Sequence, residues 1–277
     1  MTENIRYDAG LSDRHRQGAW VYHQAETMNS EEPERDARRW SRMSPTLLRK
    51  AAAELIGTAF LVAAVIGSGI AASQLSPDDV GLQLLENSLI TGAALVALIL
   101  ALQPVSAAFN PVVTLIERAL GLVTTTDAAA LILAQFVGGF TGAVAANLMF
   151  DLNAVSISGH ERTGANLWLA EVVATLGLAL VIFGSLRAGR TDTIAYAVGG
   201  YITAAYWFTS STSFANPAVT VARIFSDTFA GIAPGSVVMF VLMQVIGGTL
   251  ALAAVRLLYP GVRLPAANVA EPADSSS

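Results

Sequence analysis

Six apolar stretches, each long enough to cross a lipid bilayer as a helix, dominate this sequence. The hydrocarbon core of a bilayer is about 30 Å thick, and about 20 helical residues are needed to span it. The chain is 53% hydrophobic and only 13% charged, whereas about a quarter of the residues of a soluble domain are charged. We therefore predict an all-α membrane protein with transmembrane helices at residues 48–73, 84–104, 128–150, 165–187, 192–210 and 236–258.

Two shorter apolar segments, 111–119 and 217–226, follow the second and the fifth of these spans. At about 1.5 Å per residue each extends roughly 15 Å, which is half of the bilayer core. Backbone that ends inside the hydrocarbon is tolerated only where protein or a water-filled cavity surrounds it. The two segments therefore predict re-entrant half-helices that line a pore.

Both ends of the chain are polar. Residues 1–46 lack the apolar core of a signal peptide, and we expect a mostly disordered cytoplasmic tail with a short surface helix at residues 34–42. Residues 261–277 are expected to form a flexible C-terminal tail. Residues 1–50 hold nine of the 16 Lys and Arg, whereas only Arg162 and Arg223 fall on the opposite side of the predicted topology. The positive-inside rule then places both termini in the cytoplasm and the multi-pass protein in the inner or plasma membrane.

The intervening channel domain, 47–260, divides into two similar repeats, 47–150 and 164–260. Because each repeat holds three spans, an odd number, the second copy is inserted upside down, and the site is expected near the midplane where the repeats meet. Three motifs recur in the same order, at offsets of 117, 109 and 106 residues: Glu-x-x-x-Thr at Glu54 and Glu171, Gln-x-x-Gly-Gly at Gln135 and Gln244, and Asn-Pro at Asn110 and Asn216.

Each Asn-Pro pair carries the signal of a helix start. Asn is a favoured N-cap and Pro a favoured first helical residue, so Asn110 and Asn216 are expected to cap the two half-helices. In an inverted repeat both N-termini point at the centre of the bilayer, each with about half a positive charge. Acidic residues among apolar ones, here Glu54 and Glu171, are functional by default. The alternative is that they lie near the interfaces and reach water.

With these motifs the chain resembles the aquaporin and aquaglyceroporin (major intrinsic protein) superfamily over residues 48–258. The resemblance implies an aquaporin-like fold with one pore per subunit, a homotetramer in the lipid bilayer, and passive passage of small neutral solutes. It implies that Asn110 and Asn216 donate hydrogen bonds to solute, and that the half-helix loops depend for structural support on Pro111, Pro217, Glu54 and Glu171. No cofactor, metal site or nucleic-acid partner is expected; the chain has no cysteine, and its three histidines lie outside the spans.

The predicted constriction departs from the family pattern. Val219 stands where most relatives carry an arginine, the first motif ends in Val112 instead of alanine, and Phe109 precedes it without the usual histidine. Thr91 is expected at the second-span filter position and Ala204 or Ala205 at the fifth. Each change removes bulk, charge or a donor, so a wider and less polar filter is expected.

Arg223 lies four residues beyond Val219, on nearly the same helical face. It either keeps a positive charge in the outer vestibule or pairs with Asp227 at the surface. The segment 209–220 resembles a bacterial subgroup that lacks the filter arginine and has members linked to arsenic handling. That resemblance implies arsenous acid or methylated arsenicals as substrates beside water and glycerol-like polyols.

Several alternatives stay open. Tyr206, Trp207 and Phe208 either line the outer mouth or form an interfacial anchor belt, and the belt is favoured. A secondary transporter built on inverted repeats, a strict water channel, an ion channel and a closed junction protein are the competing functions. An enzyme is not expected, because no nucleophile–base pair or metal-ligand spacing is present.

Overall fold

The computed structural model of the protein describes residues 46–260. The predicted tails and the predicted surface helix at residues 34–42 lie outside the described residues. Short 3₁₀ turns at Thr191–Thr193 and Arg223–Phe225 accompany eight α-helices in this range: α1 Leu47–Leu75, α2 Val80–Leu102, α3 Pro111–Ala119, α4 Thr125–Met149, α5 Ala165–Arg187, α6 Ile194–Phe208, α7 Pro217–Ala222 and α8 Pro234–Leu258.

Five of the six predicted spans are long and apolar enough to cross a membrane among the described residues, namely α1, α2, α4, α5 and α8. The sixth, α6, has only 15 residues and is shorter than the predicted 192–210. At about 1.5 Å per residue it reaches roughly 22 Å, less than the hydrocarbon thickness. The chain leaves the helix at Thr209, which is extended, and returns toward the cavity at α7.

The two half-helices differ in length. The first, α3, spans nine residues, with the bounds that the sequence predicts. The second, α7, has six residues, and the predicted segment continues as the 3₁₀ turn Arg223–Phe225 instead of as α-helix. This change of helix type rotates the side chains that follow α7.

The two repeats pack in the same way. Helix α1 packs on α2 and α4, α5 packs on α6 and α8, and α2 contacts α6 between the repeats. A Cβ added to Gly138 in α4 would collide with the carbonyl oxygen of Leu55 in α1, and one added to Gly247 in α8 would collide with that of Val172 in α5. Small residues let membrane helices approach this closely, and here the same crossing is built twice, once in each repeat.

Candidate functional site

The cap asparagines start the half-helices as their sequence motifs predict. The Asn110 Oδ1 accepts a hydrogen bond from the Val112 N–H at 3.0 Å. The Asn216 Oδ1 accepts from the Ala218 N–H at 2.9 Å and from the Val219 N–H at 3.2 Å. Each side-chain oxygen thus satisfies backbone donors that a helix start leaves unpaired. The amide nitrogen of each asparagine therefore points away from its own helix.

These amide nitrogens join the two repeats. The Asn110 Nδ2 donates to the Ala215 carbonyl at 2.8 Å, and the Asn216 Nδ2 donates to the Phe109 carbonyl at 2.7 Å. A primary amide has two N–H groups, and neither nitrogen makes a second hydrogen bond within residues 46–260. Both asparagines line the central cavity. Two N–H donors are therefore available to a solute where the half-helices meet.

The residue before each asparagine has an unusual backbone conformation. Phe109 has a φ of 48° and Ala215 a φ of 49°, in the left-handed region that residues other than glycine rarely adopt. Such a conformation costs about 1–3 kcal/mol and persists where its surroundings hold it. The carbonyls of both residues accept from the cap asparagine of the other repeat. Their N–H groups are held by buried glutamates.

Glu54 is completely buried and accepts four hydrogen bonds. Its Oε1 accepts from the Ala108 N–H at 2.8 Å and the Ser106 hydroxyl at 2.5 Å. Its Oε2 accepts from the Phe109 N–H at 2.7 Å and the Gln135 amide at 2.8 Å. The carboxylate therefore fixes the loop that leads into α3.

Glu171 repeats this arrangement for the loop that leads into α7, and it is also completely buried. Its Oε1 accepts from the Phe214 N–H at 3.0 Å, and its Oε2 accepts from the Ala215 N–H at 2.9 Å and the Gln244 amide at 2.6 Å. The alternative in which the two acids reach water at an interface does not agree with their burial.

A cavity of about 590 Å³ passes the cap asparagines. One end lies at Lys50 and Glu117, and we call it the Lys50 mouth. The other end, the Arg223 mouth, lies at Tyr206 and Arg223. Apolar side chains line most of the wall, among them Val65, Leu95, Ile99, Leu178 and Ile182. The sequence analysis did not single out Lys50 or Glu117, because their position at the mouth depends on how α1 and α3 pack.

Six of the predicted pore residues line this cavity: Thr91, Phe109, Asn110, Asn216, Val219 and Arg223. Val112 does not, because it is buried toward α8, where its side chain occupies the space above Gly248. Val113, the next residue, lines the cavity in its place.

Ala204 also does not line the cavity. It lies on an exposed face of α6, and Ala205, the alternative to it, is buried but likewise not part of the cavity wall. Ile202 and Tyr206 are the α6 side chains that face the Arg223 mouth. The prediction of Ala204 as a pore residue was therefore wrong. Ala204 is two residues away from both Ile202 and Tyr206, and two residues along a helix turn a side chain by roughly 200°, to the opposite face.

The aromatic run on α6 divides between the two roles considered for it. Tyr206 is 3% exposed, lines the cavity and shares a hydrogen bond of 3.2 Å with the Thr91 hydroxyl. Trp207 and Phe208 are more than half exposed on the surface of the protein. The favoured interpretation as an anchor belt is therefore wrong for Tyr206, whose side chain is part of the mouth.

Arg223 does not pair with Asp227. Its guanidinium lies 3.4 Å from the centroid of the Phe214 ring, and its Nε donates to the Ala230 carbonyl. The Asp227 carboxylate instead accepts from the Gly159 N–H at 3.0 Å. The sequence predicts a filter with less charge and fewer hydrogen-bond donors. In the structure, the Arg223 guanidinium and the Tyr206 hydroxyl lie at this mouth and supply both.

The chain is similar to proteins of known family and structure. The Major intrinsic protein family profile matches residues 41–193. Aquaglyceroporin AqpS of Rhizobium meliloti (strain 1021) is 48% identical over 218 residues, which cover 78% of this chain and 93% of that protein. The X-ray structure of the aquaglyceroporin from Plasmodium falciparum matches with a TM-score of 0.62 at 17% identity, over 79% of this chain and 100% of that one. This structural likeness confirms the predicted fold.

Proposed function

Since the chain belongs to the major intrinsic protein family and is a passive channel for water and small solutes such as glycerol, we propose that the cavity between the Lys50 and Arg223 mouths is its pore. The observation that carries this proposal is the pair of cap asparagines. Each is fixed by its own half-helix and by the loop of the other repeat. Each has a second N–H that makes no hydrogen bond within residues 46–260, and both residues line the cavity.

Passage through this pore depends on neutral solutes exchanging hydrogen bonds with the two asparagines. A hydroxyl oxygen of glycerol, or a water oxygen, accepts from Asn110 and Asn216 while the apolar wall contacts its carbon backbone. The N-terminal ends of α3 and α7 add partial positive charge at the same point. They orient water oppositely in the two halves of the pore, which interrupts a proton wire and repels cations.

The solute range is proposed to include uncharged metalloid acids, such as arsenous acid, and methylated arsenicals. Arsenous acid is neutral at pH 7 and resembles a small polyol in its hydroxyl groups. Val219, where a guanidinium would narrow the pore, is a small apolar side chain that lines the cavity. The relative named an aquaglyceroporin supports a pore that admits solutes larger than water.

Flux through purified protein in lipid vesicles tests this proposal. We expect stopped-flow light scattering to show water, glycerol and arsenous acid entering faster than into protein-free vesicles. Glycerol influx should not saturate and should not change when a sodium or proton gradient is imposed. Dependence on a gradient would identify a coupled transporter, water flux alone a strict water channel, and a current carried by ions an ion channel.

The proposal also includes the assembly and location of the protein: a homotetramer in the cell membrane, with both termini in the cytoplasm. Passage of solute through the pore involves no catalytic step. The concentration of basic residues on the N-terminal side supports the orientation. The protein has no cysteine, so a single cysteine can report on sidedness. Light scattering of the protein in detergent measures the number of subunits, and four are expected. The orientation is tested with Glu161→Cys, in the exposed part of the loop at residues 150–164, which is expected to react with an impermeant maleimide on intact cells. If Glu161→Cys reacts only after the cells are lysed, this loop is cytoplasmic and the proposed orientation is wrong.

A further inference from the structure

A second cavity, of about 210 Å³, lies beside the pore at the Arg223 mouth. Its lining includes the basic residues His160, Arg162 and Arg223 and the apolar residues Val80, Leu84 and Phe229. Arg223 belongs to the lining of both cavities. Anything bound in the second cavity would therefore stand next to the entrance of the pore.

The loop at residues 150–164 brings Arg162 to this place. Its backbone pairs with the segment that follows α7, through the Ser158 N–H to the Ile224 carbonyl at 2.8 Å and the Ala233 N–H to the His160 carbonyl at 2.7 Å. The Arg162 Nε donates to the Gly231 carbonyl at 3.0 Å. The loop is thus fixed, and the arginine is held in a defined position.

Arg162 and Arg223 share one aromatic ring. Their guanidinium carbons lie 5.1 Å and 3.4 Å from the centroid of Phe214. No carboxylate of the described residues hydrogen-bonds to either arginine: Asp227 accepts from a backbone N–H, and Glu161 is exposed. The buried Glu171 carboxylate attracts both arginines, but it hydrogen-bonds to Phe214, Ala215 and Gln244 instead. Two neighbouring guanidinium groups with one acid near them keep an excess positive charge, so the site favours a negatively charged occupant.

The two arginines also have donors to spare. Arg162 uses its Nε and its Nη2, toward the Gly231 and Phe229 carbonyls, and keeps the N–H groups of Nη1. Arg223 uses only its Nε in a hydrogen bond within residues 46–260, although a guanidinium carries five N–H groups. Its remaining nitrogens are not among the sealed polar atoms that lack a partner, so they face open space. A ligand with two or more oxygens would satisfy them and neutralise the charge together.

We infer that the second cavity binds a small organic oxyanion with a short alkyl group, such as a carboxylate, sulfonate or phosphonate, and that the bound anion obstructs the pore. The oxygens accept from Arg162 and Arg223, and the alkyl group contacts Val80, Leu84 and Phe229. Burial, and after it the Arg162 guanidinium, lowers the pKa of His160, while Asp227 raises it. This shift favours the neutral imidazole, so the arginines supply the positive charge of the site.

Methanesulfonate is a suitable probe because it stays an anion at every working pH and has no neutral form that permeates. Sodium methanesulfonate replaces sodium chloride on both sides of the vesicles at constant ionic strength, and glycerol influx is measured. We expect a saturable decrease of influx with methanesulfonate and none with its neutral analogue, methanesulfonamide. Arg162→Gln should raise the half-inhibiting concentration about tenfold or more, as the loss of one charge-assisted contact implies.

Two further variants separate charge from loop structure. Arg162→Lys keeps the charge and should retain part of the inhibition, and Arg190→Gln removes an exposed charge near the other mouth and should leave inhibition unchanged. Equal effects of methanesulfonate and chloride, equal effects of the anion and the amide, or full inhibition of Arg162→Gln would each overturn the inference.

The flux readout rests on the proposed channel activity, whereas binding can be measured without it. A ligand that binds only the folded protein raises the melting temperature. We expect methanesulfonate to raise that of the wild type but not that of Arg162→Gln. Absence of glycerol flux in the untreated wild type would contradict the proposed function, while normal flux without any methanesulfonate effect would contradict only the anion site.

Discussion

Replacement of Val219 by arginine is expected to reduce glycerol and arsenous acid flux about tenfold or more, which corresponds to roughly 1.4 kcal/mol of added barrier. Water flux should fall less, because a narrower opening hinders a large solute more than a small one. Val219 lines the cavity, and the buried Glu171 carboxylate of this repeat already accepts hydrogen bonds from Phe214, Ala215 and Gln244. The new guanidinium would therefore turn toward water, the Tyr206 hydroxyl and the carbonyls of the mouth.

The presence of Arg223 sharpens this expectation. It lies four residues after Val219, so two guanidinium groups would meet on neighbouring turns, and like charges at this spacing repel each other. Arg223 is fixed over Phe214 and by its hydrogen bond to Ala230. We therefore expect the introduced side chain, which has no such partner, to be displaced into the opening of the pore.

Val219→Met is the matched control, since methionine adds length without charge or donors. We expect it to lower glycerol flux by less than Val219→Arg does. Equal losses in the two variants would attribute the effect to bulk alone. Equal loss of water and glycerol flux in Val219→Arg would indicate misfolding, and an unchanged glycerol flux would show that residue 219 is not at the narrowest point.

The fold was predictable where a local signal marks each element. The bounds of α5 follow from its apolar run, and those of α3 from its Asn-Pro start, because capping and hydropathy are properties of neighbouring residues. The recurrence of Glu, Asn and Gln in the same order in both halves indicates the inverted repeat, whereas the hydrogen bonds from Gln135 to Glu54 and from Gln244 to Glu171 are seen only in the structure. These residues are polar in an apolar setting, so the sequence itself draws attention to them.

Which residues of each helix face the pore was not predictable in the same way. Helix α6 is apolar on all sides, so periodicity gives no pore-facing stripe. The sequence therefore predicts Ala204 at the position where Tyr206 lines the mouth. The direction of Val112 depends on Gly248, which lies in the other repeat. The partner of Arg223 depends on the loop after α7, where the 3₁₀ turn and the Ala230 carbonyl keep it away from Asp227. Contacts with other helices and loops, and not the local sequence pattern, determine all three positions.

Glu171→Gln is expected to lower the melting temperature of the protein by about 5–10 °C, because it removes at least one hydrogen bond to a charged group, worth about 1.5–3 kcal/mol. Glu171 accepts from the Phe214 N–H with Oε1 and from the Ala215 N–H and Gln244 amide with Oε2. An amide nitrogen placed at either position faces a backbone donor. No rotation of the glutamine side chain restores both contacts.

The equivalent change in the first repeat tests whether the two glutamates have the same role. Glu54 accepts from two backbone N–H groups, one with each oxygen, so Glu54→Gln also places an amide nitrogen against a backbone donor. The Ser106 hydroxyl can rotate to accept from the new amide, but the Ala108 and Phe109 N–H groups cannot. We therefore expect a loss of stability similar to that of Glu171→Gln.

Glu86→Gln provides the matched control for both variants. The Glu86 Oε1 accepts only from the Ser76 hydroxyl, at 2.9 Å, and a hydroxyl can turn to suit an amide. We expect its melting temperature to stay close to that of the wild type. For all three variants, the melting temperature is measured by thermal unfolding in detergent. The yield of folded protein is then measured after reconstitution under the same conditions.

The ratio of glycerol to water flux distinguishes support of the loops from direct contact with solute. Glu171 does not line the pore and reaches it through two neighbours in the loop: Phe214, which lines the cavity, and Ala215, whose carbonyl accepts from the Asn110 amide. The Glu171→Gln protein that still folds keeps the contact between the Ala215 carbonyl and the Asn110 amide. It should therefore show the wild-type ratio of glycerol to water flux, although less folded protein is obtained. A normal melting temperature together with a changed flux ratio would contradict the structural role, since it would mean that the carboxylate acts on the solute and not on the loop that positions Asn216.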